Sequence, residues 1–464
     1  MEKRGSMNLN GVKGYYSIPL SAKSTRMEID STTYADLSLF DHEEEHSVFH
    51  KLDFTLTRGG KDQLLNYFNS PFSELKSIRQ TQQIITLIIQ QLDRWPAAIS
   101  NGTIMVMERF YETAVDPIPP AHNLPGALIY KVFHGPDYAI VRYSVGHFAD
   151  FVRGMHQLID LLHTPDCPPM LADLLERARR LLDQDILDSL GKTAPGVKLN
   201  PIQVVYYGYY IKERSKTTMQ GLIDIFHRID AWYSMAQATR KYRLSFPVFR
   251  DQEAPYFQVR ALYHLLLPSP VSYDVQLDQQ SNFLFLTGAN MAGKSTFIRA
   301  VGVAIFLAHL GMAVPASQME IGLFHGILSN INVMDNLAKG ESYFFNEVQR
   351  IRDTLIKISG RNKWLVLIDE LFKGTNVQDA MKCSSAVIKG LIRIPNSLFI
   401  LSTHLYEIGE ELKQYPNISF KYFETTVKED QLEFSYQLKD GISNDRIGYL
   451  ILKREKVVEM LEKL

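Results

Sequence analysis

Phe283-Leu284-Phe285-Leu286-Thr287-Gly288-Ala289-Asn290-Met291-Ala292-Gly293-Lys294-Ser295-Thr296 is the stretch on which the reading of this chain turns. An apolar run with strand character ends at Thr287. A glycine-bearing turn follows, and the apolar segment 297–310 reads as a buried helix. Gly288 to Ser295 has the spacing G-x-x-x-x-G-K-S, the P-loop pattern, in the strand–loop–helix setting that the pattern requires. Gly288 and Gly293 let the backbone curl until its N–H groups face phosphate oxygens, and the helix N-terminus adds the positive end of its dipole. Lys294 would reach the β- and γ-phosphates of a nucleotide, and the Ser295 hydroxyl would sit on Mg²⁺. The nucleotide-binding set is Gly288, Ala289, Asn290, Met291, Ala292, Gly293, Lys294, Ser295 and Thr296.

Two later apolar runs end in polar residues suited to the same chemistry. Trp364-Leu365-Val366-Leu367-Ile368 reads as a buried strand and ends in Asp369-Glu370. Asp369 at that strand end suits a magnesium ligand, and Glu370 suits a general base that orients the attacking water. Leu398-Phe399-Ile400-Leu401-Ser402-Thr403 leads into His404, a candidate γ-phosphate sensor. Taken alone, His404 reads as a loop-capping histidine. Taken together, the three strand ends describe an ATPase with a doubly wound α/β sheet.

The motifs resemble those of the MutS family of DNA mismatch-repair ATPases. Thr287 to Thr296 is similar to that family's T-G-P-N-M-G-G-K-S-T, and Asp369 to Asn376 to its D-E-x-G-R-G-T-S. Ser402-Thr403-His404 is similar to its A-T-H, and 335–344, with Glu347 beyond, to its D-D-L-x-x-G-x-S-T-F and the acid that follows. The block from Leu52 to Leu65, continued by Pro71-Phe72 and Ile78-Arg79-Gln80, resembles the family's lever or core scaffold. The resemblance runs from about residue 27 to 455 and is weak across 100–220. It implies an ABC-like P-loop ATPase domain preceded by an all-α lever domain, with ATP and Mg²⁺ bound. It also implies a homodimer in which Gly340 and Ser342 of one subunit meet the γ-phosphate held by the other.

Composition bounds the rest. The chain has 464 residues, 45% hydrophobic and 11% aromatic, enough for two or three domains with large cores. The formal net charge is −1, so a nucleic-acid surface would have to be a local patch. Cys167 and Cys383 lack metal-ligand spacing. Residues 1–6 carry charge without an apolar signal core, and no run reaches the roughly 18 apolar residues of a spanning helix. A cytoplasmic protein without a membrane segment is expected.

In chain order, 1–26 reads as an irregular lead-in, 27–245 as the helical lever with a shortened, clamp-like insert around 100–220, and 246–464 as the ATPase domain. Asp30 and Ser31 are candidate N-caps ahead of Tyr34 and Leu37, and Ser73 is a candidate N-cap after Pro71-Phe72. Phe72-Ser73-Glu74 spells F-x-E, the pattern with which relatives stack on a mispaired base. Only about 26 residues precede the core, so the domain carrying that motif is expected to be absent, and these residues read as scaffold. Arg177, Arg179, Arg180, Lys212, Arg214 and Lys216 are candidate DNA-phosphate contacts, and solvated helix faces explain them equally well. Phe249, Tyr256 and Phe257 are candidates for stacking on adenine.

The motifs also depart from the family. Tyr343 replaces a threonine, Phe372 a glycine, Lys373 an arginine and Asn376 a serine, which bears on the contacts between subunits and suggests a stiffer loop at Phe372. Gly441-Ile442-Ser443 and Ile447-Gly448-Tyr449 resemble the family's last motifs, and by that resemblance most of the dimer-fastening helices are expected to be missing. A weak or ATP-dependent dimer is the expectation. The function expected is ATP-driven clamping on mismatched, branched or distorted duplex DNA. A protein scaffold of the same ancestry that does not bind DNA is the alternative, and a transport-type ABC ATPase is disfavoured by the lever block.

Overall fold

The computed structural model describes residues 26–120, 124–194, 198–332, 343–428 and 431–443, together with Val457 and Met460. The described residues open with a two-residue strand, β1 (Glu28–Ile29), and the short helices α1 (Ser31–Asp36) and α2 (Val48–Leu52). Among the described residues there follow α3 (Arg58–Phe68), α4 (Leu75–Gln91), α5 (Asn101–Glu112), α6 (Leu124–Phe133), α7 (Gly135–Leu162), α8 (Pro169–Leu182), α9 (Asp185–Gly191), α10 (Pro201–Arg214) and α11 (Lys216–Tyr242).

The second half alternates strands and helices. It runs β2 (Val248–Phe249), β3 (Tyr256–Leu262), β4 (Tyr273–Asp278), β5 (Phe283–Thr287), α12 (Lys294–His309), β6 (Gln318–Ile321) and β7 (Gly326–Asn330). Then come α13 (Tyr343–Ile358), β8 (Trp364–Asp369), α14 (Val377–Leu391), β9 (Ser397–Ser402), α15 (Tyr406–Leu412), β10 (Ile418–Lys428) and β11 (Gln431–Asp440).

The main sheet has the order β1-β7-β8-β9-β5-β10-β11 and is parallel except for β11. The interiors of its central strands β5, β8 and β9 are apolar because both faces are covered, and polar residues stand at their ends. Leu284, Leu286, Leu365, Leu367, Leu398 and Ile400 point into one core, which α12 and the N-terminal helices share. The alternate residues Phe283, Phe285, Val366, Ile368, Phe399 and Leu401 point into a second core with α13, α14 and α15. A separate sheet, β2-β6-β3-β4, stands beside it.

The helical half is organised around α11, which packs on α3, α4 and α8. Its Asp230 accepts from the N–H groups of Leu56 and Thr57 and from the Thr57 hydroxyl, at 2.8, 2.9 and 2.7 Å. The motif block at Leu52 to Leu65 is therefore the partner of a buried carboxylate. Phe72 belongs to the same scaffold: its N–H donates to His309 O at 2.8 Å. The N-cap position of α4 is Glu74, not Ser73, and no side chain caps it. α6 turns Ile129, Val132 and Phe133 outward at 57, 73 and 78% exposure.

The N-terminal segment departs from the expected division at 27–245. β1 pairs in parallel with β7 and forms the edge of the main sheet. Asp30, not Ser31, caps α1, accepting from Thr33 N–H at 2.8 Å. Asp36, 1% exposed, accepts from Ser329 Oγ and from the N–H groups of Ile331 and Asn332. Residues 28–36 are thus part of the sheet-bearing half, reached from a sequence distance of about three hundred residues.

Candidate active site

β5, β8 and β9 bring their C-terminal ends to one edge, with β9 lying between the other two. The loop leaving β5 needs positive φ at Gly288 (+139°) and Gly293 (+108°), and Met291 joins them at +68°. A Cβ on Gly288 would sit 3.2 Å from both Phe423 Cβ and Phe423 O, so glycine is required there for closeness as well as for φ. Ala289 and Ala292 are buried beneath the loop, while Asn290 and Met291 face outward. Ser295 and Thr296 lie in the first turn of α12.

Lys294, 5% exposed, donates from Nζ to the carbonyls of Gly288 (2.7 Å) and Ala289 (2.9 Å). Burial holds its pKa below the usual lysine value, and the Glu370 and Asp369 carboxylates pull the other way. Ser295 Oγ donates to Asp369 Oδ2, and Ser402 Oγ donates to Asp369 Oδ1. One carboxylate therefore joins the P-loop helix to two neighbouring strands.

Glu370 follows at φ +65°, with its N–H on Ser402 O at 3.0 Å. His404 Nε2 pairs with Glu370 Oε1, and Lys373 Nζ lies 3.3 Å from Oε2. Burial pushes the Glu370 carboxyl up. The hydrogen bond and charge of His404, with the charges of Lys373 and Lys294, outweigh it and bring the pKa down to about 2. The site thus assembles Lys294, Ser295, Asp369, Glu370 and His404. It adds Ser402, which the sequence reading passed over although it immediately precedes Thr403-His404. Gly340 and Ser342 lie outside the described residues, as does Ile447-Gly448-Tyr449.

Residues 284–461 match the sequence model of MutS domain V. Over this part the chain is similar to MutS-family proteins. The DNA mismatch repair protein MutS of Thermotoga maritima is 28% identical over 245 residues, covering 52% of this chain and 30% of that protein. The DNA mismatch repair protein msh3 of Aspergillus oryzae is 30% identical over 190 residues, covering 40% of this chain and 17% of that protein. The match therefore spans less than a third of either relative.

Against the MutS pattern, the substituted residues have found local work. Phe372 occupies the family's glycine position at φ +61°, with its ring buried against Phe344 at 5.5 Å. A phenylalanine tolerates this left-handed backbone because its burial, worth roughly 2 kcal/mol, offsets a strain of about 1 kcal/mol. Asn376 caps α14 by accepting from Asp379 N–H at 3.0 Å. The Tyr343 side chain lies outside the description.

Two expectations need correction. Phe249, Tyr256 and Phe257 are 7, 7 and 0% exposed, and their burial within the second sheet's packing leaves no ring face for a base. Tyr436 of β11 instead stands against the P-loop, with its Cδ1 3.5 Å from where a Gly293 Cβ would be and the residue 42% exposed. No local pattern marks it in the sequence.

The six basic candidates do not form one set. Lys212 donates to the carbonyls of Phe110 (2.6 Å) and Thr113 (2.8 Å), and its ammonium lies 5.0 Å from the Phe110 ring centroid. It is the C-terminal cap of α5 and not a free phosphate contact. Arg177 and Arg180 are exposed on α8 with Arg179 half-buried, and Arg214 and Lys216 are exposed at the α10–α11 junction.

Proposed function

We propose that this chain binds and hydrolyses ATP with Mg²⁺, and that the nucleotide state governs the grip of its helical lever on mismatched, branched or distorted duplex DNA. The observation that supports hydrolysis best is the Asp369–Glu370 pair. Asp369 spans the Ser295 and Ser402 hydroxyls, and Glu370 beside it is held by His404. Ser295 and Asp369 supply hard oxygen donors of the kind Mg²⁺ takes. Bound there, the ion would neutralise charge on the β- and γ-phosphates. Lys294 would leave its two loop carbonyls for phosphate oxygens, and Tyr436 offers a ring face to the adenine.

Glu370 is ionised at neutral pH with both oxygens occupied, one by His404 and one by Lys373. Its role is to orient the attacking water, once one of those two side chains turns toward the γ-phosphate. This reading places a P-loop ATPase of ABC-like, doubly wound topology behind the lever. By family likeness it works as a homodimer with Gly340 and Ser342 acting across subunits. The DNA part rests on the names of the two relatives and on the exposed cations Arg177, Arg180, Arg214 and Lys216. The loss of Lys212 from that set and the net charge of −1 favour the second reading, a nucleotide-switched protein scaffold.

Glu370→Ala tests the chemistry. ATP binding, followed with a fluorescent analogue, should remain, while turnover falls at least about a hundredfold, the lower range for loss of a general base. Turnover near the wild-type rate would remove Glu370 from the mechanism.

A further inference from the structure

We propose that Glu347 is a positioning residue for hydrolysis, holding the loop after β8 in the shape that places Glu370. This inference rests on the ATPase reading. Glu347 lies one turn into α13 and is 1% exposed. Its Oε1 accepts from the N–H groups of Phe372 at 3.0 Å and Lys373 at 3.3 Å. Its Oε2 is buried with no hydrogen-bond partner among the described residues. A buried carboxylate is a costly occupant of a core unless its hydrogen bonds hold something in place, and packing alone would favour an apolar side chain.

The loop it grips has an unusual backbone. Glu370 and Phe372 both sit at positive φ, +65° and +61°, in a region that L side chains resist. Such conformations persist only where the surroundings fix them. Three contacts supply the fixing: Glu370 N–H on Ser402 O, the Phe344–Phe372 ring contact, and the two N–H groups on Glu347. The last also orients Lys373, whose ammonium lies 3.3 Å from Glu370 Oε2. Glu347 therefore sets both the backbone that carries Glu370 and one of the cations that hold its carboxylate.

The same helix is tied at its next turn to the N-terminal segment. Arg350 donates to Asp30 Oδ2 at 2.8 Å and Oδ1 at 3.2 Å, and to Ser329 O at 2.7 Å. A shift of α13 cannot leave the Glu370 loop unmoved, because Glu347 joins them.

The test uses the full chain and compares Glu347→Ala, Glu347→Gln and Glu347→Asp. Readouts are kcat and KM for MgATP, the dissociation constant of a fluorescent ATP analogue, and the unfolding temperature. Glu347→Ala should lower kcat about a hundredfold, the scale of a misplacement near 1 Å, with KM and nucleotide affinity within about threefold of wild type. Glu347→Gln keeps an amide oxygen for both N–H groups and should restore kcat to within about fivefold. Glu347→Asp keeps the charge but shortens the reach, so it should fall between them; it carries the test if the alanine variant does not fold. An unchanged kcat in Glu347→Asp or Glu347→Ala, or a glutamine variant as slow as alanine, would overturn the proposal. A wild-type protein that binds but never hydrolyses ATP would sink the ATPase reading itself, a separate outcome visible before any Glu347 variant is measured.

Discussion

At the scale of single residues, Glu370 and His404 form the most consequential pair. The folded pKa of Glu370, about 2, lies below the ordinary glutamate value of 4.5. The folded protein thus takes up this proton less readily than the unfolded chain. The stabilisation is complete above about pH 4.5 and is lost as pH falls toward about 2. His404 is the largest lowering influence. His404→Ala should therefore be less stable than wild type at neutral pH, with the gap closing between pH 4.5 and 2 in urea unfolding. A gap independent of pH would mean that the pair contributes nothing through charge. Turnover of the variant should drop at least about tenfold as Glu370 loses its orientation.

The residues of this site were largely legible in advance, because a P-loop and strand-end carboxylates depend on spacing along the chain. Lys212, Phe372 and Tyr436 were not. Each owes its role to a partner that no local pattern announces: the end of α5, the ring of Phe344, and the loop at Gly293.

Among the elements, the joint between lever and sheet depends on buried polar groups. His309, at the end of α12, pairs through Nδ1 with Phe72 O at 2.7 Å and accepts at Nε2 from Phe324 N–H at 3.3 Å. Burial lowers its pKa to about 4, so the ring stays neutral. Within the lever, burial pushes Asp230 up to about 6 despite its three hydrogen bonds. α3 can approach it only because Gly60 has no side chain; a Cβ there would lie 2.0 Å from Asp230 Oδ2. Gly60→Ala should cost about 1–3 kcal/mol, the usual scale of overpacking, despite alanine's better helix propensity. Equilibrium unfolding reads this directly, and an equally or more stable variant would show that Asp230 moves aside freely.

Helix periodicity made α8 and α11 readable, and uninterrupted apolar runs did the same for β5, β8 and β9. β1 escaped because two residues hold too little pattern. Its strand character comes from β7, nearly three hundred positions away. The second sheet was unreadable for a different reason, since β3 and β4 mix polar with apolar residues and the sheet order β2-β6-β3-β4 departs from chain order.

For the molecule as a whole, the halves share one continuous core. Phe306 of α12 packs against Tyr34 and Phe68 at 6.1 and 5.5 Å, and Leu37 fills the space over Gly302. Nucleotide-driven movement of α12 would thus reach the helical half through packed side chains. Among the described residues no helix is long and apolar enough to cross a membrane. The measurement that tests this account most directly is ATP turnover by the purified protein at low salt, alone and with homoduplex, mismatched duplex and four-way-junction DNA. Low salt is chosen because phosphate contacts are strongest there. The account predicts measurable turnover that one DNA form raises or lowers severalfold more than homoduplex does. Turnover that ignores every DNA would contradict the clamp and leave the protein-scaffold reading; no turnover at all would contradict the central claim.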